Sequence, residues 1–405
     1  MRIALAVDGT RGDVHPMLAL GDHLRAEGHE VVVCGPPDAE PDCQARGFEL
    51  RPMGVAVRQF MDQEAEGIAR GRLGFALAGH RYFEATIARQ FERLPAATED
   101  VDAILGAGLC FAGGSAAELH GIPYRLIAYC PVLLPSSEHA PFIVPGANTP
   151  RWLNRLLWSL MVPVFSRLIG VRINQQRRRL GLPARGDFYR SLLSERPILA
   201  ADPLLAPVPL DCDVPVTPIR YLHAAPGDAL PEKLEAFLAS GAAPIYFGFG
   251  SMTDPRPERT TRQILDAVEM AGCRAVISEG WAGLGQGPLP ESVFRTGPAD
   301  HARLFPRMAA VVHHGGAGTT TTSARAGVPQ IIVPHGVDQY YWGARVQALG
   351  VAPPPLPRHK LSADKLAGAI RAVLDNELLA ERARELGKRV RDEAPPLPDL
   401  ATLLG

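Results

Sequence analysis

Short apolar runs alternate with segments of helical periodicity along both halves of this chain. The runs cover residues 3–7, 29–34, 101–105, 124–129, 243–249, 274–278, 309–312 and 330–333. Continuous apolar runs of this length are typical of strands that are buried on both faces of a parallel sheet. Because helical segments separate them, the pattern predicts an α/β protein with a Rossmann-like sheet in each half.

The domain organisation follows from length and from proline content. A chain of 405 residues exceeds the usual single domain, so two domains are expected. Residues 202–218 carry five prolines and no regular periodicity, which predicts a linker. We therefore divide the chain into a first domain at 1–210, a second at 211–385, and a tail at 386–405 that packs back on the first domain.

Composition narrows the class of protein. The chain is 46% hydrophobic and 21% charged with a formal net charge of −1, which is ordinary for a soluble protein and argues against a nucleic-acid partner. Residues 1–7 are too short an apolar run for a signal peptide, and Asp8 and Arg11 follow directly. The six cysteines are scattered without metal-ligand spacing. We expect a cytoplasmic protein with reduced thiols and no metal.

The most hydrophobic window covers residues 152–169, close to the length that spans a membrane. Asn154, Pro163 and two arginines within it argue against a span. An amphipathic helix over an apolar pocket is favoured, and the arginines at 177–179 leave peripheral membrane contact open. The segment 131–150 is rich in proline, which predicts an irregular loop that walls a binding cleft.

A glycine-rich turn follows the strand at 309–312. Gly315, Gly316 and Gly318 free the backbone, and a helix is predicted to begin at Thr319. Unpaired amides at a helix N-terminus attract anions, and missing Cβ atoms let a phosphate approach the main chain. His314 adds a donor that can be cationic. The turn is therefore either a phosphate site or only a tight connection.

Three other strand ends carry residues of matching chemistry. Ser251 closes a second glycine turn at 248–251, Trp281 follows the strand at 274–278, and Asp338 with Gln339 follows the strand at 330–333. Carboxylate and amide groups suit sugar hydroxyls, and an indole suits a nucleobase. The alternatives are a core tryptophan and a polar helix start. Together these strand ends predict one pocket for a phosphorylated ligand that contains rings.

The loop at 8–14 follows the first strand, where open α/β sheets hold ligands. It lacks the G-x-G-x-x-G fingerprint of dinucleotide-binding proteins, which argues against an NAD-dependent oxidoreductase. It offers Thr10, Arg11, Asp13 and His15 instead. These side chains are suited to acid–base chemistry.

The whole set of motifs resembles one enzyme family. The strings are GTRGDVHP at 9–16, GFGS at 248–251, SEGWAGL at 278–284, HHGGAGT at 313–319, and DQ with WG at 338–343. They are similar to those of the GT-B-fold, inverting, nucleotide-sugar-dependent glycosyltransferases that act on natural products, in the branch with the glycopeptide-antibiotic and sterol enzymes. The resemblance implies two Rossmann-like domains facing across a cleft, with the acceptor in the first domain and the nucleotide-sugar in the second.

The resemblance also implies a role for each motif residue. Asp13 would be the general base, and Ser251, His314 and the amides of residues 316–319 would stabilise the diphosphate leaving group without a metal or another cofactor. Thr10 and Arg11 would line the cleft near the donor or the acceptor. Asp338 and Gln339 would bind sugar hydroxyls. Trp281, and Pro298 with Ala299, would contact the nucleobase.

Departures from the family pattern leave alternatives open. Many relatives have a histidine where this chain has Asp13, with a second aspartate supporting it, whereas residues 106–108 here carry no carboxylate. We expect Asp13 to act alone as a solvated, weak base near its ordinary pKa, with His15 as a rival. The choice between UDP and dTDP stays open.

The acceptor is expected to be large, apolar and hydroxylated, such as a polyketide, macrolide or sterol-like aglycone. The apolar window at 152–169 and the loop at 131–150 support that expectation. A UDP-sugar epimerase of the same fold and a catalytically silent helper protein are the alternatives. The sequence gives no prediction of the oligomeric state.

Overall fold

Two parallel sheets, each flanked by helices, make up the computed structural model, which describes residues 1–69, 72–142, 144, 149–224, 227 and 229–405. Within these residues the first sheet has seven strands in the order β3-β2-β1-β4-β5-β6-β7. The second has five, in the order β10-β9-β8-β11-β12. The predicted α/β class with two Rossmann-like sheets is confirmed.

The first sheet and its helices take up the first half of the chain. Its strands are β1 Arg2–Asp8, β2 Glu30–Gly35, β3 Glu49–Pro52, β4 Ala103–Gly108, β5 Tyr124–Ala128, β6 Ile198–Ala200 and β7 Thr217–Ile219. Its helices are α1 Arg11–Ala26, α2 Glu40–Ala45, α3 Val57–Ala69, α4 Arg72–Ala97, α5 Gly113–His120, α6 Arg151–Arg179 and α7 Phe188–Leu193.

The second half repeats the arrangement. Its strands are β8 Ile245–Gly248, β9 Ala275–Ser278, β10 Val293–Thr296, β11 Ala310–His313 and β12 Gln330–Ile332. Its helices are α8 Glu232–Ala239, α9 Pro257–Ala271, α10 His301–Leu304, α11 Ala317–Ala326, α12 Gln339–Ala348, α13 Ala363–Leu374, α14 Glu377–Asp392 and α15 Leu400–Leu404, and short 3₁₀ turns lie at Pro37–Ala39, Pro131–Leu133, Phe305–Arg307 and Arg358–Lys360.

Strand β1 shows why the apolar runs form central strands. Ile3 and Leu5 are buried in the cluster that contains α1. Ala4 and Ala6 are buried in a separate cluster on the opposite face. Because successive side chains point to opposite faces, a strand that is covered on both sides must be apolar at every position.

In each sheet the strand order reverses between two central neighbours. The reversal lies between β1 and β4 in the first sheet and between β8 and β11 in the second. Open α/β sheets bind ligands in the crevice at the carboxyl ends of the strands at such a point. Helices α1 and α11, which begin at these two crevices, lie against each other. The two crevices therefore border the same interdomain cleft.

The boundary between the domains differs from the sequence-based boundary at 210/211. Strand β7 lies within the segment taken as a linker and pairs with β6, so the first sheet extends to Ile219. Pro218 could not donate to a central ladder, but β7 is the last strand of its sheet, where proline is tolerated. The chain passes to the second domain between Ile219 and α8.

The C-terminal residues lie on both domains. Helix α14 packs on α11 of the second domain, so the predicted tail at 386–405 begins inside a second-domain helix. After Asp392 the chain returns to the first domain. There Leu400 and Leu403 of α15 are buried in the cluster that contains β1 and α1.

Helix α6 extends ten residues beyond the predicted window, to Arg179. One side packs on the first domain through buried residues that include Trp158, Met161 and Ile173. By length and composition alone the helix could cross a membrane. The opposite side is exposed.

Candidate active site

Helix α1 begins earlier than expected. The sequence predicted a loop at residues 8–14, but the helix starts at Arg11 with Thr10 as its N-cap. The Thr10 hydroxyl accepts a hydrogen bond from the Gly12 amide at 3.3 Å, and the Asp13 carboxylate accepts one from the Thr10 amide at 2.9 Å. This capping box was readable as a threonine followed three residues later by an acidic residue. It fixes Asp13 on the first turn of α1.

The Asp13 carboxylate is held against the backbone at the end of β1. Gly9 has φ +144°, and a Cβ atom there would lie 2.2 Å from Asp13 Oδ2. The Tyr129 hydroxyl donates to the Asp13 carbonyl at 3.0 Å. The pKa of Asp13 is raised to about 7, chiefly by desolvation and also by the carboxylates of Asp338 and Asp8, against the hydrogen bonds from Thr10, which lower it. The expected solvated, weak base near its ordinary pKa is therefore wrong.

Asp8 is a buried carboxylate beside Asp13 that sequence reasoning missed. It accepts hydrogen bonds from the Tyr82 hydroxyl and from Gln90 Nε2, the latter at 2.8 Å. Burial raises the pKa of Asp8 to about 7. The available signal was an acidic residue that ends an apolar strand. Its partners lie 74 and 82 residues away, so the sequence did not identify them.

Arg11 and His15 point away from the Asp13 carboxylate. His15 Nε2 lies 3.1 Å from Asp42 Oδ2, and Arg11 Nη2 lies 3.3 Å from Asp42 Oδ1. The hydrogen bond from His15 is the main cause that lowers the pKa of Asp42. Desolvation lowers the pKa of His301 in the second domain to about 4, and the charges of Arg11 and His15 contribute. Both residues therefore line the cleft near the 298–301 segment, and His15 has a carboxylate partner of its own.

The glycine turn after β11 forms a helix N-terminus. His313 is buried, with Nε2 2.9 Å from Gln330 Oε1, and its Nδ1 accepts from the Gly315 amide at 3.1 Å. It is therefore a structural histidine. Gly315 has φ +90°, and Gly316 is the N-cap of α11. The helix begins two residues before the predicted Thr319, so the amides of residues 317–319 lie in its first turn, where helix amides lack intrahelical partners.

His314 lies between the two glycine turns of the second sheet. A Cβ atom on Gly250 would lie 3.0 Å from its Cε1, and one on Gly316 would lie 2.4 Å from its Nε2. Its Nδ1 is buried and has no hydrogen-bond partner among the described residues. Desolvation lowers the pKa of His314 to about 4. Burial therefore disfavours the cationic form that the sequence left open for His314, and the unpartnered Nδ1 is a candidate to bond a polar ligand.

The second glycine turn is joined to Trp281. The Trp281 amide donates to the Gly250 carbonyl at 3.1 Å, and Gly250 itself has φ +60°. The guanidinium carbon of Arg58, from the first domain, lies 5.9 Å from the centre of the Trp281 ring. Ser251 is half-buried and follows Gly250 directly. Ser251 and Trp281 are thus brought together at the end of β8, facing the first domain.

Asp338 and Gln339 have different surroundings. Asp338 is half-buried at the start of α12, where desolvation raises its pKa to about 6. Gln339 is buried, and its Oε1 accepts from the amides of His335 and Gly336 at 2.7 and 3.2 Å. The Oε1 atom of Gln339 is thus used within the turn, and the pairing of Asp338 and Gln339 with sugar hydroxyls stays a prediction. Gln339 holds the turn, and Asp338 faces Asp13.

The predicted nucleobase edge is a rigid rim. Pro298 is exposed, and Ala299 packs on a buried cluster of the second domain. Asp300 caps α10 by accepting from the Ala302 amide at 2.8 Å. His301 stacks on Phe305 with ring centroids 4.4 Å apart.

The described part of the 131–150 segment is anchored on α6. Residues 143 and 145–148 lie outside the described residues. Asn154 Nδ2 donates to the Ser137 carbonyl at 2.9 Å, and Trp158 Nε1 donates to the His139 carbonyl at 3.0 Å. The His139 ring also lies 5.8 Å from that of Tyr341 in the second domain. The segment therefore lies between the domains, and His139, Trp158 and Tyr341 are residues that sequence reasoning did not single out.

Comparison with known proteins agrees with this geometry. Residues 3–134 match the glycosyltransferase family 28 N-terminal domain, and residues 263–400 match the erythromycin biosynthesis protein CIII-like C-terminal domain. Glycosyltransferase GtfE of Amycolatopsis orientalis is 37% identical over 358 residues, covering 87% of this chain and 85% of that protein. The vancomycin aglycone glucosyltransferase of the same organism is 35% identical over 408 residues, covering 97% and 95%.

A solved structure supports the fold independently. The glycosyltransferase VinC, crystallised in complex with dTDP, superposes with a TM-score of 0.68 at 20% identity, covering 100% of this chain and 98% of that one. The two matched ranges contain the first crevice and the β11 side of the second, whereas β8 and its glycine turn lie between the ranges. This chain therefore belongs to the GT-B-fold glycosyltransferases of natural-product biosynthesis.

Proposed function

We propose that this glycosyltransferase moves a sugar from a UDP- or dTDP-sugar to a hydroxyl group of a hydrophobic natural-product aglycone, with inversion at the anomeric carbon. One observation carries the proposal: helix α1, which holds Asp13, contacts α11 beside the glycine turn of the second domain, and Asp338 lies near enough for its charge to raise the pKa of Asp13. A base on one side and an anion site on the other suit an in-line displacement.

The donor would lie on the second domain. The amides of residues 317–319 and the unpartnered ring nitrogen of His314 would hold the diphosphate, with Ser251 beside them. Trp281 and the rim at 298–299 would flank the nucleobase. The dTDP complex of VinC supports a dTDP-sugar as the donor. The vancomycin aglycone glucosyltransferase from Amycolatopsis orientalis does not indicate which sugar this chain transfers.

Asp13 would take the proton of the acceptor hydroxyl as its oxygen attacks the anomeric carbon. The bond between that carbon and the diphosphate oxygen breaks, and the electron pair leaves with the diphosphate. A carboxylate with a pKa of about 7 is a stronger base than an ordinary aspartate and is still half ionised at neutral pH. Preorganised donors would stabilise the leaving group without a metal.

The acceptor would lie on the first domain, against the wall formed by residues 131–142 and α6. Trp158 and Phe142 contribute apolar surface to a cluster there. The vancomycin aglycone accepted by a relative is large and hydroxylated, which supports a glycopeptide, macrolide or polyketide acceptor here.

The test is an acceptor screen with UDP- and dTDP-sugars, in buffer with and without EDTA, read by mass spectrometry and by the anomeric coupling of the product. We expect a β-linked product from an α-linked donor, unaffected by EDTA. Asp13→Asn is expected to keep nucleotide binding and to lose turnover by roughly a thousandfold or more. Near-normal turnover of Asp13→Asn together with an inactive His15→Ala would move the base to His15.

Two outcomes would replace the proposal. Interconversion of donor sugars without any acceptor would indicate an epimerase. Failure to bind any nucleotide-sugar, measured by calorimetry, would indicate a helper protein on the same scaffold.

A further inference from the structure

Helix α6 carries a continuous apolar stripe on its outer face. We define the outer stripe by six residues that are between 46% and 67% exposed: Trp152, Leu156, Leu160, Val164, Leu168 and Val171. Spacings of three and four residues place them on one side of the helix. At 1.5 Å per residue the stripe is about 28 Å long. An exposed apolar surface of this extent marks an interaction site rather than an incidental feature.

The inner face of α6 is already occupied by the protein. Trp158, Met161 and Ile169 are buried in the first domain, and Arg177 is buried with its guanidinium 3.0 Å from Glu118. A helix that is packed in this way cannot be surrounded by lipid. What contacts the outer stripe must therefore approach from one side.

The charge on the helix is of one sign. Its 29 residues include seven arginines and no aspartate or glutamate. Arg155 and Arg167 are exposed between the apolar positions, and neither forms an ion pair within the described part of the chain. The nearby acids are engaged: Glu138 lies 3.5 Å from Arg151, and Glu84 lies 2.6 Å from Arg172. The stripe is apolar and positively charged.

We propose that the outer stripe docks on the surface of a membrane that contains anionic phospholipid, with α6 lying in the plane of the interface. The apolar side chains enter the boundary between headgroups and acyl chains, and Trp152 sits at the level that tryptophan prefers. The arginines extend toward lipid phosphates while their aliphatic stems remain against the apolar surface.

A second copy of the chain fits the stripe less well. Two-fold packing of α6 on itself would place Arg155 and Arg167 of each copy against the same residues of the other. No acid on the helix would offset that repulsion. Anionic lipid headgroups supply the complementary charge.

The docked orientation has one consequence, which rests on the proposed function. The inner face of α6 anchors the acceptor wall through Asn154 and Trp158. Docking would therefore hold the acceptor side of the cleft near the bilayer, where an apolar aglycone concentrates.

The test is co-sedimentation of the full chain with vesicles of phosphatidylglycerol and phosphatidylcholine, or of phosphatidylcholine alone. We expect binding to the anionic vesicles that weakens at high salt. Arg155→Gln with Arg167→Gln should lower the partition coefficient about 30-fold, which corresponds to about 1 kcal/mol per arginine. Leu160→Ser with Leu168→Ser should lower it roughly tenfold or more.

The control is Leu210→Ser with Leu378→Ser, two leucines that are 92% and 53% exposed away from α6. It should bind vesicles as the wild type does, and all variants should keep the wild-type unfolding temperature and nucleotide affinity. Absence of vesicle binding, or equal binding by the stripe variants, would overturn the proposal. So would a wild-type dimer in sedimentation velocity that Leu160→Ser with Leu168→Ser converts to monomer. None of these measurements depends on turnover, so they test the membrane docking independently of the proposed transferase activity.

Discussion

At the scale of single residues, the proposed role of Asp13 as general base depends on the surroundings of its carboxylate. Asp13 shares its cleft with the carboxylates of Asp8 and Asp338, and all three groups have raised pKa values. Desolvation is the largest cause for each, so closure of the site over an acceptor should not return them to ordinary acids. The reactivity of Asp13 is thus set by exclusion of water more than by its own chemistry.

The first prediction concerns the pH dependence of turnover. Only ionised Asp13 can accept a proton, so kcat/KM should fall tenfold per pH unit below about 7. Asp8→Asn removes a negative neighbour that raises the pKa of Asp13, so it should move this acidic limb to lower pH. The measurement is kcat/KM between about pH 5 and 9, with the unfolding temperature as the folding control. An unmoved limb in correctly folded Asp8→Asn would contradict the coupling.

The second prediction concerns Gly9. A Cβ atom in Gly9→Ala would lie 2.2 Å from Asp13 Oδ2, so the carboxylate must move, and kcat should fall on the order of a hundredfold. Gly12→Ala is the matched control, because its Cβ would meet only Thr10 Oγ1 at 3.5 Å. Nucleotide affinity, measured by calorimetry, should be unchanged in both. Equal activity of the two variants would remove Gly9 from the positioning of the base.

The candidate residues could be located from the sequence, but their environment could not. Asp13 and His314 stand in motifs that a sequence reveals, because a glycine turn after an apolar strand is a local feature. Their protonation states depend on side chains from distant parts of the chain, such as Asp338 for Asp13. The expectation of a solvated Asp13 near its ordinary pKa was wrong for this reason.

At the scale of elements, the turn between β12 and α12 positions Asp338. Val337 in this turn has φ +52°, a left-handed conformation that is unfavourable for a β-branched residue. The buried Gln339 side chain holds the same turn through two backbone amides. The turn is therefore stabilised by a side chain in the helix that follows it.

The third prediction follows from that arrangement. Gln339→Leu leaves the amides of His335 and Gly336 without their acceptor, which should lower the free energy of unfolding by about 1 to 3 kcal/mol. It should also raise the KM for the donor, because Asp338 loses its fixed position. Chemical denaturation measures the first effect. Gln347→Leu, on the same helix and half-buried, is the control. Unchanged stability with a raised KM would instead make Gln339 a direct ligand of the sugar.

The elements themselves were predictable where burial is complete on both faces. The ends of the central strands β1, β8 and β11 were located to within two residues and those of β4 to within three, which is close to the usual uncertainty at element ends. The short strands β3, β6, β7 and β10 were missed; β3, β7 and β10 lie at an edge of their sheet, and β6 lies beside the edge strand β7. An edge strand of three or four residues is fixed by pairing with a neighbour, and its own sequence carries little periodicity.

At the scale of the whole molecule, the chain returns from the second domain to the first after α14. The C-terminal residues thereby become part of the hydrophobic core of the first domain. Leu403 is 1% exposed and packs in the cluster with β1 and α1. The predicted tail was correct in its destination, but where the chain leaves the second domain depends on the end of α14. A local signal marks that end, because Pro395 and Pro396 follow Asp392 closely and cannot continue the helix, whereas the contact of α14 with α11 is a tertiary feature.

The fourth prediction tests this packing. Leu403→Ala should lower the free energy of unfolding by about 2 to 5 kcal/mol, because it leaves a cavity in the first-domain core. Differential scanning calorimetry should show the loss in the transition that the first domain contributes. Leu378→Ala, at a position that is 53% exposed in the second domain, should change stability little. Equal transitions for the two variants would contradict the burial of α15.

The two passages also constrain how the cleft opens. A single covalent connection would let the two domains rotate relative to each other about any axis through that connection. Here the chain crosses once between Ile219 and α8 and again between α14 and α15. The two interdomain segments define a line. A rotation of one domain about that line is the motion that stretches neither segment. Substrate entry and product release would then share one axis, and a cross-link far from that axis should stop both.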